Sequence, residues 1–525
     1  MRASLAAFVV LAACASEPSS FTARDGGGTD ASATDLGARN DIPPVPIRDG
    51  SNVMTGDPTT CEHAEAARTY VGCDFWPTVL PNVVGTCFHY VVVVANPGDT
   101  PAEVTIERGG VVVARGRSAP NDLAAFSLPW VPELKVLNGR CDTEHGRSLT
   151  DSARVPGGAY HLVSSRPVIV YQFNPLEYRN DECNCLFGPY SFSNDASLLL
   201  PSTAATGNYR VTAMRGQDTE ELHAPGYVSV TGLRDNTTVR VRLAPNARVV
   251  AGNGIAATAP GQTLTFTLGR GDVARLLGTP DGDLGGSLVQ ADAPVQVFAG
   301  SPCIYQPFDR QSCDHLEESV FPTETLGRRY FVHRPTGPRG NAVGHVVRIF
   351  GNVDDTRLTW PGGAPPRAPT RIGAGEVYDL GVVDGDYEVV GDHEFGVATF
   401  MLGQTIVDPA LNGRGDPSQT NVPSVEQFRD NYVFLAPSNY DVSFADVVMP
   451  LSAQVTLDGQ PVTVRPTPIG GMFGVARLPL DRARNSHTIR SSAPVGVQVM
   501  GYGHATSYHY PAGLNLMGIA PPPPV

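Results

Sequence analysis

Lysine is nearly missing from this chain: Lys135 is the only one in 525 residues. Basic residues of both kinds number 38, against 52 aspartates and glutamates, which leaves a formal net charge of −14. That balance argues against a nucleic-acid binder, which needs a basic face to neutralise phosphates. It also argues against docking through anionic lipid headgroups. The arginine-for-lysine bias reads as the codon usage of a GC-rich genome, not as an arginine-built site. Long apolar runs are missing too, since none approaches the ~20 residues that span a bilayer. There is no HExxH, no GxSxG and no GxxxxGK[ST], so no enzyme is expected from local motifs. Helical periodicity is scarce, with CEHAEAARTY at 61–70 the best short candidate. Tryptophan occurs only at Trp76, Trp130 and Trp360.

What is present begins with MRASLAAFVVLAAC at 1–14. A charged start, a short apolar centre and a small-residue end make an export signal. Leu11-Ala12-Ala13-Cys14 resembles the lipobox of bacterial lipoproteins. That resemblance implies that Cys14 becomes the acylated first residue of the mature chain. Its acyl chains then hold the protein to a membrane, as several chains do and one does not. Ala15, where an Asp often signals inner-membrane retention, leans the expectation toward the outer membrane. Residues 15–57, with DGGGTDASATD at 25–35, cannot bury enough apolar area to offset their ordering entropy. They read as a tether, and PPPPV at 521–525 as a short tail.

Beyond Cys14 there are eight cysteines: Cys61, Cys73, Cys87, Cys141, Cys183, Cys185, Cys303 and Cys313. An even number in an exported chain points to disulfides, whose connectivity does not follow from spacing. Cys303 and Cys313 stand apart from the rest and are expected to pair. The other six fall between 61 and 185 and staple the N-terminal part. Cys183-Asn184-Cys185 lacks the second separated pair that a zinc site shows.

From 61 to 520 the text is all-β. Val-, Thr- and Tyr-rich runs alternate with Gly, Pro, Asn and Asp turns. Strand candidates include 89–96, 104–116, 166–173, 238–243, 263–268, 346–351 and 495–500. The pattern also repeats. A Tyr-led strand opens each unit, at Tyr90, Tyr209, Tyr330 and Tyr432. A polar turn (NPGDT, RDNTT, NVDDT) and a Thr/Val strand follow. A Pro-Val-x-Val strand comes near the end, placing Val168, Val295, Gly396 and Val495 in register. After it come FSNDASLLLPS (192–202), CDHLEESVFPT (313–323) or NVPSV (421–425). A period near a hundred residues exceeds the ~40–50 of a propeller blade and suits a β-sandwich. Four tandem β-sandwich-like modules are expected: 58–204, rich in disulfides, then 205–326, 327–427 and 428–520. The alternative is a propeller-like closed array built of half-repeats.

PVIVYQFNP (167–175), FSNDASLLLP (192–201) and the Tyr-led strand at 209 together resemble the N-terminal domain of the IgGFc-binding protein family. The order of D-x-T turn, V-T-V strand and Pro-Val-x-Val strand does too, over most of 85–515. Such domains occur in animal mucus and surface proteins and in exported bacterial proteins, especially myxobacterial lipoproteins. The lipobox and the scarcity of lysine fit the second group. The resemblance implies a non-enzymatic extracellular role in binding or adhesion, to a protein or a glycoconjugate. Antibody is not carried over as the ligand. The rival readings are a structural envelope spacer and a hydrolase with dispersed carboxylates.

No cofactor is expected. The turn acids Asp99, Asp235, Asp354 and Asp355 invite calcium, but each turn offers one or two carboxylates where about six to eight oxygens are needed. Asp and Asn in turns usually accept from local backbone N–H groups. Weak calcium candidates remain in Asp195 and Asp314. Glu62, His63 and Glu65 read as helix surface, and His509 between two tyrosines as a packed cluster. The three tryptophans read as core or module-interface residues. Arg414-Gly415-Asp416 reads as a chance RGD triplet.

Overall fold

A computed structural model describes residues 57–523, apart from 136–138, 142–148, 184–187, 220–222, 311 and 410–412. Cys14, the tether through residue 56 and Cys185 therefore lie outside the described residues. The described chain is nearly all β, in antiparallel sheets. The helix Cys61–Ala67 begins where Thr60 accepts the His63 N–H, and it stops at Arg68 in the left-handed region. Among the described residues no helix is long and apolar enough to cross a membrane.

Strand Thr263–Leu268 shows how the sequence makes these sheets. Its TLTFTL alternates exposed and buried without a break, so one face is core and the other meets water. Strand Tyr90–Asn96 is buried throughout, because neighbours cover both of its faces. Residues between 72 and 198 supply a seven-stranded sheet, and the next stretch two sheets of five and four strands. Two four-stranded sheets and then an eight-stranded sheet follow. The short strand Ala153–Val155 pairs with Val273–Leu277 in the second stretch, which ties the first two together.

The repeat is visible in hydrogen bonds. The N–H groups of Leu199, Val320, Val422 and Ala512 donate to the carbonyls of Val170, Val297, Val397 and Val497. Counting back two residues makes Val168, Val295, Phe395 and Val495 equivalent. The expected position in the third unit, Gly396, is thus one residue late. Glu394-Phe395-Gly396-Val397 occupies the place of Pro-Val-x-Val, and its lack of proline hid the register. The tyrosine shows the same order. Tyr209, Tyr330 and Tyr432 each accept the N–H of the residue three before and donate to the carbonyl of Val295, Phe395 or Val495. Tyr90 is not their counterpart, contrary to the sequence reading. Gly72 faces Val168 as Arg429 faces Val495, so Phe75, three residues on, holds the tyrosine place in the first unit. Tyr90 instead opens the strand that pairs along His161–Phe173.

Each Pro-Val-type strand runs into a hairpin. The return strands are Ala196–Leu198, Cys313–Ser319, Gln419–Asn421 and Thr506–Pro511. These four pack around one another in a propeller-like ring. One large core joins the first and last units, with the rings of Tyr171 and Tyr510 5.0 Å apart. Disulfides link Cys61 to Cys73, Cys87 to Cys183 and Cys303 to Cys313, with Cα separations of 5.7, 5.6 and 5.2 Å. Cys141 is disulfide-bonded as well.

Candidate functional site

The ring centre is polar and closed to water. Asp195, directly before the first return strand, accepts from the Ser418 hydroxyl and from the N–H groups of Ala196, Glu317 and Gln419. One carboxyl therefore binds three of the four hairpins. Burial pushes its pKa up, against the lowering pull of those donors. Asp314 accepts from the His315 and Ser507 N–H groups and the Thr506 hydroxyl. Burial raises it, and the neighbouring Asp416 adds to the rise. Burial also pushes Asp416 up to about 7. Glu317 takes hydrogen bonds from Gln172 and Ser197 and lies 3.1 Å from His315 Nε2. Return strands as polar as Gln419-Thr420-Asn421 are stable inside because partners from other units satisfy them.

This placement bears on the acids singled out from sequence. Asp195 and Asp314 are fully buried and turned toward N–H and O–H donors. Among the described residues no group of three or more His, Cys, Asp or Glu is placed to hold a metal ion. Two of the turn acids bond backbone, Asp235 accepting the Arg270 N–H and Asp354 the Ala374 N–H, while Asp355 pairs with the Arg371 guanidinium. The threonines of the same turns, Thr237 and Thr356, donate to carbonyls three residues back. Asp416 of the RGD triplet is 1% exposed and accepts from Ser312, so the triplet presents no open carboxylate. His509 is buried, but it does not sit between its tyrosines: Tyr508 and Tyr510 stack on each other, 5.2 Å apart, and burial, with His333 and His345 nearby, drives the His509 pKa down.

An open cleft of ≈ 770 Å³ lies where the first two units meet. One wall is built from the helix Cys61–Ala67 and the segment after it, through Glu65, Arg68, Asp74 and Trp76. The other comes from turns: Ser202 and Thr203, then Leu233, Arg234 and Asp235, then Arg270 and Pro294. Trp76 holds the walls together. Its Nε1–H reaches Asp74 and Ser202, both at 3.2 Å. His161 stacks on its ring at 4.3 Å, and the Arg270 guanidinium lies 5.3 Å from the ring. Gly271, at φ +80°, passes so close that a Cβ there would come within 3.1 Å of the indole.

Asp74 and His161 are a tuned pair. Burial alone would raise the Asp74 carboxyl, but hydrogen bonds from His161 and Ser202 hold it below the usual range. Burial alone would lower His161, and its bonds to Asp74 and Glu107 raise it instead. A carboxyl held ionised by three neighbours is the reverse of a general acid, which needs a raised pKa. Of the cleft residues, sequence reading singled out Trp76, Glu65 and Asp235, each for a structural role. It missed Arg234, Arg270, Ser202 and Thr203, which carry no motif. Trp130 and Trp360 lie elsewhere, donating to the carbonyls of Phe88 and Pro369.

An all-β scaffold of repeated units around a sealed polar ring, with an open polar cleft beside it, defines a protein that presents surfaces. Residues 195–501, more than half of the chain, match the family described as IgGFc binding protein, and the chain belongs to that family. The match begins at Asp195, the residue that ties the ring. No curated protein matches this chain. A solved structure that aligns is an anti-sigma factor domain-containing protein from Clostridium clariflavum. It is 11% identical, covers 59% of this chain and 90% of its own, and has a TM-score of 0.11. At that score it carries no argument about this fold.

Proposed function

We propose that this chain is a non-enzymatic surface lipoprotein, held to the outer membrane through Cys14, whose β units bind an extracellular macromolecule. The observation that carries the reading is membership of a family described by binding, over a span that contains three of the ring's four return strands. The lipobox at 11–14 supports the anchor. Phase partitioning and surface proteolysis of whole cells test the anchor: the native chain should enter the detergent phase and be cut from outside, and Cys14→Ser should not enter it. Immobilised mature chain should retain purified envelope polysaccharide or surface protein, and heat-denatured chain should not. Equal retention by both forms would overturn the binding reading.

A further inference from the structure

Arg234 and Arg270 differ from most arginines near them. Both are exposed in the cleft, and neither forms an ion pair among the described residues. The Arg270 backbone is fixed by Asp235 and its guanidinium is laid along Trp76, 3.4 Å from His161 Nε2. This wall therefore holds one guanidinium in a set position, that of Arg270, with a second, Arg234, exposed on the same wall. A guanidinium fork matches a carboxylate with two parallel hydrogen bonds. The rest of the same wall asks for something else. Asp235 offers acceptor capacity, and Ser202 a hydroxyl oxygen already held by Trp76 and Asp74. Leu233 and Pro294 add a small apolar surface.

A ligand that fits carries a carboxylate, many groups that both donate and accept, and one apolar face. Sugar rings with uronic-type carboxylates have all three. A peptide would bind chiefly through a ladder of backbone groups along an open strand edge. Here strands supply one lining residue, Asp74, and the rest comes from helix and turns. We propose that this cleft binds a carboxylate-bearing oligosaccharide, with Arg234 and Arg270 on the carboxylate and Asp235 and Ser202 on ring hydroxyls. The proposal rests on the binding reading above and names its site and ligand class.

The test is calorimetric titration of the full chain with tetragalacturonate, against uncharged tetragalactose and tetraglutamate. Tetragalacturonate should bind saturably at one site. The double variant Arg234→Gln/Arg270→Gln should weaken it at least tenfold, and Asp235→Asn at least threefold. Arg115→Gln, at an exposed arginine on another strand, should leave it unchanged. Arg234 and Arg270 are exposed, so circular dichroism should show the double variant folded. Absent saturation, or an unchanged affinity in the double variant, overturns the site. Tetragalactose binding as tightly overturns the carboxylate assignment, and tetraglutamate binding as tightly overturns the sugar assignment. If the double variant still retains envelope macromolecule, the cleft proposal falls and the binding reading stands. If the native chain retains none, the binding reading itself falls.

Discussion

The Tyr432 hydroxyl accepts the Arg429 N–H and donates to the Val495 carbonyl, so two strands depend on one oxygen. Tyr432→Phe leaves both backbone groups buried without a partner, which should cost at least about 2 kcal/mol, at about 1–3 for each group. Urea unfolding measures it. Tyr440 provides the contrast, because its buried hydroxyl has no partner. Tyr440→Phe should therefore leave the urea midpoint unchanged or raise it. Asp416 supplies a pH signature. Its folded pKa, pushed by burial to about 7, lies above the ordinary 3.8, so the folded state holds a proton that the unfolded state releases. That contribution is complete below about pH 4 and is lost as pH rises through 7. His345, lowered by burial to about 3, acts with the opposite sign over part of the same window. The informative quantity is thus the difference between native chain and Asp416→Asn. Relative to the variant, the native melting temperature should fall between pH 5 and 8. A difference that stays flat or rises would show that Asp416 is ionised when folded.

At the scale of strands and hairpins, the ring depends on Asp195. Asp195→Ala removes the acceptor for the Glu317 and Gln419 N–H groups and the Ser418 hydroxyl at once. The loss should exceed about 3 kcal/mol, since each orphaned buried donor costs about 1–3 kcal/mol. Hydrogen exchange should quicken first at Glu317 and Gln419, ahead of the strands that flank them. How much of this was legible in sequence follows from where each signal lies. Thr263–Leu268 declares its own strand, because its alternation is local. The repeat was legible through Tyr209, Tyr330 and Tyr432, which share a hydroxyl with one task. It fails at Phe75, which lacks that hydroxyl, while Tyr90, which leads a valine run, mimics the signal. Gln419–Asn421 was illegible as a strand, because a polar tripeptide is stable inside only with partners from other units. The cleft was illegible for a related reason. Its lining comes from residues 65–76, 202–205, 233–235, 270 and 294, and nothing in any one segment announces the others.

At the scale of the whole molecule, the chemistry of its amines joins the sequence to the proposed anchor. The chain has one lysine, and Lys135 is fully buried. Its ammonium donates to the Val84 carbonyl and sits 4.8 Å from the centre of the Trp130 ring. A reagent that needs a free, solvated amine cannot reach it without opening the first unit. The anchor proposal adds a second condition, because a lipoprotein's new N-terminus, here Cys14, is itself acylated. A folded, mature chain should then carry no reactive amine at all. An N-hydroxysuccinimide ester applied to native protein should add no label detectable by intact mass. In guanidinium the same reagent should add one, at Lys135. The Cys14→Ser chain should take one label when native, at its free N-terminus, and two when unfolded. One label on the native mature chain, mapped to residue 14, would show the terminus free and remove the amide-linked chain from the anchor. One label mapped to Lys135 would instead show that the first unit opens around the Cys87–Cys183 link at a rate the reagent can follow.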